Sequence, residues 1–280
     1  MTRIVQASSS GDFFLKAEKF LSPHEKICSH LMQMAMQKSS SLYIVFGTEI
    51  SGVLSISESG AIESFIPDIT KETESELAKF FSGKKISCIA AEKNEAEKIR
   101  SLIFKLKKIQ PDDIRSMIFM EYTDSEKSFR QNQQNSGLET QISECSVQDA
   151  DKLFPLHISY MQEEVLPEWK KIDPALERLN LEKILRTQKV FAAKQGNILC
   201  SKAQTNAVAK EFVQIGGVFT QKEFRSKGLA SRLVRKIAEE FQRHGKKTVL
   251  FVNKKNRPAI RAYRKAGFMP FGKYEMLYYK

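Results

Sequence analysis

Long apolar runs are missing from this chain. None of its 280 residues falls in an apolar stretch of roughly 18 or more, the length a membrane-crossing helix needs. The opening Met1-Thr2-Arg3-Ile4-Val5-Gln6-Ala7 lacks the continuous hydrophobic segment of a secretory leader. Cysteine is scarce: Cys28, Cys88, Cys145 and Cys200 are far apart and sit mostly in apolar segments. They read as reduced core residues, not as a disulfide framework or a metal site. His24, His30, His157 and His244 show no ligand spacing. These absences lead to the expectation of a cytoplasmic, metal-free protein. The 41% apolar residues, 19 Phe among them, suffice for a sizeable core and argue against global disorder.

Acidic residues are short in one half only. Residues 142–280 hold 27 Lys and Arg against 14 Asp and Glu, which leaves 18 against 19 for residues 1–141. The net charge of +12 therefore belongs to the second half, and it suits a polyanionic ligand or nucleic acid. No helix-turn-helix pattern, zinc spacing or RNA-binding aromatic motif accompanies the charge. Arg232, Arg235, Lys236 and Arg243 recur on the polar side of one helical pattern, so nucleic acid is the weaker alternative.

The densest information lies between 212 and 230. Phe212, Val213, Ile215 and Val218 mark a strand that runs into a basic loop. The loop ends in Arg225-Ser226-Lys227-Gly228-Leu229-Ala230, and a periodic helix follows at once, with Leu229, Leu233, Ile237 and Phe241 on one stripe. The first turn of a helix leaves N–H groups without internal partners, and the helix dipole adds positive charge there. Gly228 lets backbone approach a bulky anion, Ala230 leaves room, and Lys222, Arg225 and Lys227 add charge. The ligand this layout predicts is a diphosphate. Neither a Walker loop nor a dinucleotide fingerprint is present. A plain strand-to-helix turn with basic surface residues is the competing reading.

A second block follows. His244-Gly245 closes the helix, and a strand, Thr248 to Val252, leads into Asn253. Asn256 caps a helix with Pro258 in its first turn, Gly267 ends that helix, and Phe268 opens a final strand to Tyr279. With Arg225, Gly228 and Ala230 in the first block and Asn256, Ala259, Tyr263, Gly267 and Phe268 in the second, residues 212–279 resemble the GNAT superfamily of acyl-CoA-dependent N-acetyltransferases. The resemblance implies an α/β fold with a mixed sheet, a GNAT-like acyltransferase domain over 142–280, and acetyl-CoA as co-substrate.

It also implies roles. Backbone at Val218 and Thr220, flanking Phe219, would pair with the pantetheine arm in a wedge between strands. The N–H groups from Arg225 through Ser226, Lys227, Gly228 and Leu229 to Ala230 would hold the pyrophosphate. Tyr263 would protonate the departing thiolate, the alternative being an aromatic packed on the inner face of the last helix. Asn253 and Asn256 would orient pantetheine or amine, or be only a strand end and a helix cap. Gly216-Gly217 marks a bulge or a close packing contact. The reaction implied is direct attack of an amine on the thioester, with no protein nucleophile. No general base is legible among Glu211, Gln214 and Glu223. Glu163, Glu164 and Glu168 either attract a cationic amine or line an exposed helix face. The partners expected are acetyl-CoA and an amine acceptor, small molecule or protein, with no membrane. An acyl-CoA-binding sensor without turnover is the alternative from another class.

The first half repeats the rhythm. Helical patterning covers 12–37, a hairpin covers 42–46 and 51–56, and a strand covers 61–66. A helix at 71–81, a strand at 85–90, a helix at 93–107 and a strand at 115–122 follow. Residues 1–122 are thus expected to form an α+β domain, either a degenerate, non-catalytic GNAT-like copy or an unrelated fold. If a copy, it lacks the donor loop, because Pro67-Asp68-Ile69-Thr70-Lys71-Glu72-Thr73-Glu74 has no glycine and is acidic. Residues 123–141, polar and without apolar periodicity, read as the linker.

Overall fold

A computed structural model describes residues 2–123 and 140–280. The expected linker, 123–141, lies outside the described residues except at its ends. Ten elements run in the order β1 (Arg3–Gln6), α1 (Gly11–Leu21), α2 (Glu25–Met36), β2 (Leu42–Phe46), β3 (Ile50–Ile56), β4 (Ala61–Phe65), α3 (Lys71–Ser82), β5 (Cys88–Glu92), α4 (Lys93–Lys107) and β6 (Asp113–Tyr122). The next ten repeat that order: β7 (Gln141–Cys145), α5 (Ala150–Tyr160), α6 (Pro174–Thr187), β8 (Val190–Gln195), β9 (Ile198–Val208), β10 (Phe212–Thr220), α7 (Leu229–Arg243), β11 (Lys247–Asn253), α8 (Arg257–Lys265) and β12 (Phe268–Tyr278).

Two compact units result: Met1–Phe119 with Gly272–Lys280, and Met120–Phe271. The chain's last residues therefore complete the first unit, whereas the pattern of apolar residues groups them with the second half. In the first unit β1, β2, β3 and β4 form an antiparallel meander. Strand β4 then runs parallel to β5, and Tyr274–Tyr278 of β12 pairs antiparallel with Glu92–Cys88. The core gathers Leu54, Ile62, Leu77, Phe81, Ile89, Ile99 and Ile103, and Leu277 and Tyr279 join it from the far end of the chain.

The second unit has the same plan. Strands β7, β8, β9 and β10 are antiparallel neighbours, and β10 runs parallel to β11. Helix α7 forms because its apolar positions recur on one stripe and Gly245 (φ +73°) ends it in the left-handed region. It buries Leu229, Leu233, Val234, Ile237 and Ala238. Leu233 and Ile237 contribute about 1.5–3 kcal/mol each by that burial. Phe241, expected on the same stripe, stays partly open at the helix end. All four cysteines are buried and free. Among the described residues no helix is long and apolar enough to cross a membrane, and no cluster of His, Cys, Asp and Glu could hold a metal.

Candidate active site

Strands β10 and β11 pair only from Phe212 opposite Lys247 to Ile215 opposite Leu250. Both continue, to Thr220 and Asn253, with no further partners between them, so a wedge opens. Its cause is visible on the other edge. The β9–β10 register slips between Gly216, opposite Gln204, and Phe219, opposite Lys202. Gly217 and Val218 are left without partners in it, the extra residue of a β-bulge. Gly217 has φ +58°, and a Cβ there would stand 2.5 Å from the Gln204 side chain. Only glycine suits both the dihedral and the space.

The loop after β10 prepares a helix start with open donors. Ser226 (φ +65°) and Gly228 (φ +76°) both adopt left-handed backbone, a strained choice for serine. Gly228 caps α7 with no side-chain hydrogen bond. By contrast the side chains of Thr70, Asp173 and Asn256 cap α3, α6 and α8. Of the N–H groups expected to serve, from Arg225 to Ala230, that of Arg225 is taken by the Lys222 carbonyl at 3.3 Å; among the described residues no acceptor meets those of Ser226, Lys227, Gly228, Leu229 and Ala230. Leu229 is buried, so only its N–H can face a ligand. Lys222, Arg225 and Lys227 are exposed around this point. The Arg225 guanidinium lies over the Phe219 ring at 5.6 Å and donates through Nε to the Thr220 carbonyl at 3.0 Å. Such a constellation fits a diphosphate.

The residues expected around the chemistry fall into two groups. Tyr263, on α8, is buried. Its phenol is pushed well above the ordinary tyrosine range, first by burial and then by Tyr160 and Glu164. Asn256 accepts the Ala259 N–H through Oδ1 at 3.1 Å and offers Nδ2 to both Glu164 oxygens at 3.3 Å. Asn253 accepts the Lys255 N–H at 2.9 Å, so it shapes the turn into α8. A π-helical turn, Met161–Val165, follows α5 and sends consecutive carboxylates to different places. Glu164 reaches Asn256. Glu163 pairs with Arg225 at 2.8 Å and approaches Lys222 at 4.0 Å, and so competes for the loop's charge. Glu168 is exposed with neither contact.

Three participants escaped the sequence pattern. Lys202 of β9 is fully buried. Its Nζ donates to the Gly217 carbonyl at 3.1 Å and to Gln204 Oε1 at 3.0 Å, and sits 4.7 Å from the Tyr160 ring centroid. Burial lowers its pKa to about 7. Tyr160, raised to about 12 by burial, accepts the Gly217 N–H. His157, close by, bonds Glu177 through Nε2 at 3.0 Å, and burial holds its pKa below the usual imidazole value. A lysine as the one charged residue of an inward-facing strand, β9, was the signal that could have marked this cluster.

The first unit repeats the splay but fills it. Strands β4 and β5 pair from Ala61 opposite Cys88 to Glu63 opposite Ala90 and then part. The buried Glu95 side chain, from the first turn of α4, accepts from Ser64 Oγ and from the Ile66 N–H. Thr70 caps the helix after β4 at 3.2 Å, beside Glu72 and Glu74. The gap between β4 and β5 is thus occupied by a carboxylate, and the helix beyond it, α3, has a side-chain cap.

Residues 196–277 match the family described as FR47-like protein. A tandem GNAT protein from the clavulanic acid biosynthesis pathway superposes with a TM-score of 0.60 at 10% identity, over 99% of this chain and 98% of that one. The chain has a GNAT fold. An acetyltransferase of the GNAT family from Colwellia psychrerythraea has a TM-score of 0.57 at 9% identity over 100% of both chains. A Drosophila protein has 0.66 at 11% identity over 99% and 98%. No curated protein matches this sequence. Coverage of the whole length by a tandem protein makes residues of the first half part of the GNAT plan, in agreement with the repeated element order. In this GNAT fold the wedge, the open start of α7 and Tyr263 all belong to the second unit.

Proposed function

We propose that the second unit is an acyltransferase that moves an acetyl group from acetyl-CoA to a primary amine by direct attack. The observation that carries this reading is the pairing of an opened β10–β11 wedge with an uncapped α7 start just beyond it. An amide-bearing arm suits addition to the free strand edge at Val218 and Thr220, and a diphosphate suits the N–H groups of 226–230. Binding both reactants turns a bimolecular step into an intramolecular one. The Val218 N–H, outside the ladder, is a donor for charge developing on the thioester oxygen.

Tyr263 protonates the departing thiolate. Its dry surroundings make the phenol a weaker acid, but the same surroundings raise the proton affinity of a thiolate formed there. Glu164, hydrogen-bonded to Asn256 and electrostatically felt by Tyr160 and Tyr263, takes the proton of the incoming amine. It also attracts a cationic acceptor.

The test is acetyl-CoA binding by calorimetry together with thiol release over a panel of amines. Tyr263→Phe is expected to bind acetyl-CoA with a Kd within about threefold of the parent and to lose about 100-fold in kcat. A parent that binds the carrier yet releases no thiol with any amine would make the protein a sensor. Absence of binding would remove the reading altogether.

A further inference from the structure

The Lys202–Gly217 contact stands apart from anything the donor or acceptor needs for binding. A buried ammonium is costly in an apolar interior, and this one is lodged beneath the bulge that opens the wedge. Its anchors are one peptide carbonyl and one side-chain amide oxygen. Lys202 Nζ holds the Gly217 carbonyl, and Gln204, itself buried, turns Oε1 toward the same Nζ. Tyr160 holds the neighbouring peptide by accepting the Gly217 N–H. Gly217 is thereby gripped on both sides in a left-handed conformation.

The carbonyl of Gly217 and the N–H of Val218 belong to one planar trans peptide and point in opposite directions. With the carbonyl directed to Lys202 in the interior, the Val218 N–H is directed away from it. Val218 has no partner in the β9 register, and β10 has already parted from β11. A donor on a carbonyl draws electron density along the amide and strengthens the N–H at its other end, the more so when the donor carries charge. Hydrogen bonds in series polarise one another, most strongly where water is excluded.

We propose that Lys202 is a positioning residue for catalysis: through the Gly217 carbonyl it orients and polarises the Val218 N–H as the donor to the thioester oxygen. This rests on the acyltransferase reading above. Lys202 forms no bond to either substrate. Its effect is confined to states in which an acyl carbonyl is present, and it grows as negative charge develops on the oxygen.

The experiment uses the full chain, with acetyl-CoA carrying a 13C label at the thioester carbonyl. Difference infrared spectroscopy reads the carbonyl band of the bound thioester, calorimetry with coenzyme A reads carrier binding, and thiol release reads turnover. Lys202→Met keeps length and apolar volume and removes the donor. It is expected to bind coenzyme A with a Kd within about threefold, to return the carbonyl band toward its frequency in solution, and to lower kcat about tenfold with little change in the KM for acetyl-CoA. Lys202→Gln, a neutral donor, is expected to fall between the two and serves if the Met variant does not fold. A lysine that merely props the bulge would weaken coenzyme A and acetyl-CoA binding alike and leave the band of the remaining bound thioester where it was. That result, or a Met variant with parental band and kcat, overturns the inference alone. A parent that binds no acetyl-CoA overturns the donor-site reading and this inference together.

Discussion

Burial acts in opposite senses on the lysine, tyrosine and carboxylate side chains of this fold. It lowers Lys202 to about 7 and raises Tyr160 to about 12, in each case disfavouring the charged form. Glu164 stays exposed and bonds Asn256, and in the proposed reaction it is the base. Glu164→Gln is therefore expected to lower kcat/KM about 100-fold near neutral pH. Its deficit should shrink toward pH 9, where more of the acceptor is already a free amine; rate–pH profiles of both proteins check this. In the first unit burial raises Glu95 to about 7 against two hydrogen bonds that favour the ionised form. A carboxyl whose folded pKa is raised binds more protons than the unfolded chain between about 4.5 and 7. Its contribution is complete below that window and is lost as pH climbs through it. Glu95→Gln should thus gain stability relative to the parent from pH 5 to pH 8, by at most about 3 kcal/mol. Thermal melts at the two pH values decide the sign.

At the scale of elements, the same two devices appear in both halves with opposite outcomes. A parallel strand pair parts after a few residues, and a helix begins just beyond. In the second half Gly217 bulges the strand and Gly228 starts the helix without a side-chain cap. In the first half Glu95 fills the gap and Thr70 caps the helix. Gly228→Val tests the open start. The space near Gly228 is ample, with Ser231 Oγ at 3.8 Å as the nearest contact, so the cost is dihedral strain of about 1–2 kcal/mol. The loop is expected to relieve that strain by turning its N–H groups away, and Kd for coenzyme A should rise about tenfold while the melting temperature falls only slightly. Helix α7 was readable from sequence to its end residues, because its apolar stripe, left-handed Gly245 and glycine start all agree. Strand β1, Arg3–Gln6, was not, because four residues carry too short an alternation to register. Strand β5 was expected at 85–90 and lies at Cys88–Glu92, a shift of the kind apolar runs without turn residues permit.

For the whole molecule, two consequences follow from the repeat. With the first unit's wedge filled, the proposed donor site is that of the second unit, and calorimetry with coenzyme A is expected to give a stoichiometry near one. Glu95→Ala should not raise it, because α3 remains capped. The last strand also carries weight beyond its length: Tyr274–Tyr278 pairs with β5, and Leu277 and Tyr279 are buried in the first unit's core. Ending the chain at Phe271 is expected to destabilise that unit by several kcal/mol, since loss of one buried leucine side chain alone costs about 2–5 kcal/mol. Hydrogen exchange in Cys88–Glu92 should accelerate by orders of magnitude.

The amino-acid order alone determined the succession of elements in both halves apart from β1, the basic loop from Lys222 to Ala230 and the position of Tyr263, because each is written in local periodicity, capping residues and glycine placement. Only the tertiary structure decided that Glu95 closes the first wedge, that Glu163 and Glu164 point to different partners, and that Lys202 lies against Gly217. Those contacts join residues 15 to 92 positions apart in the chain, and a bulge, a π-helical turn and a parting of strands bring them together. No local pattern encodes such a meeting, since the side chains that make it are chosen by packing.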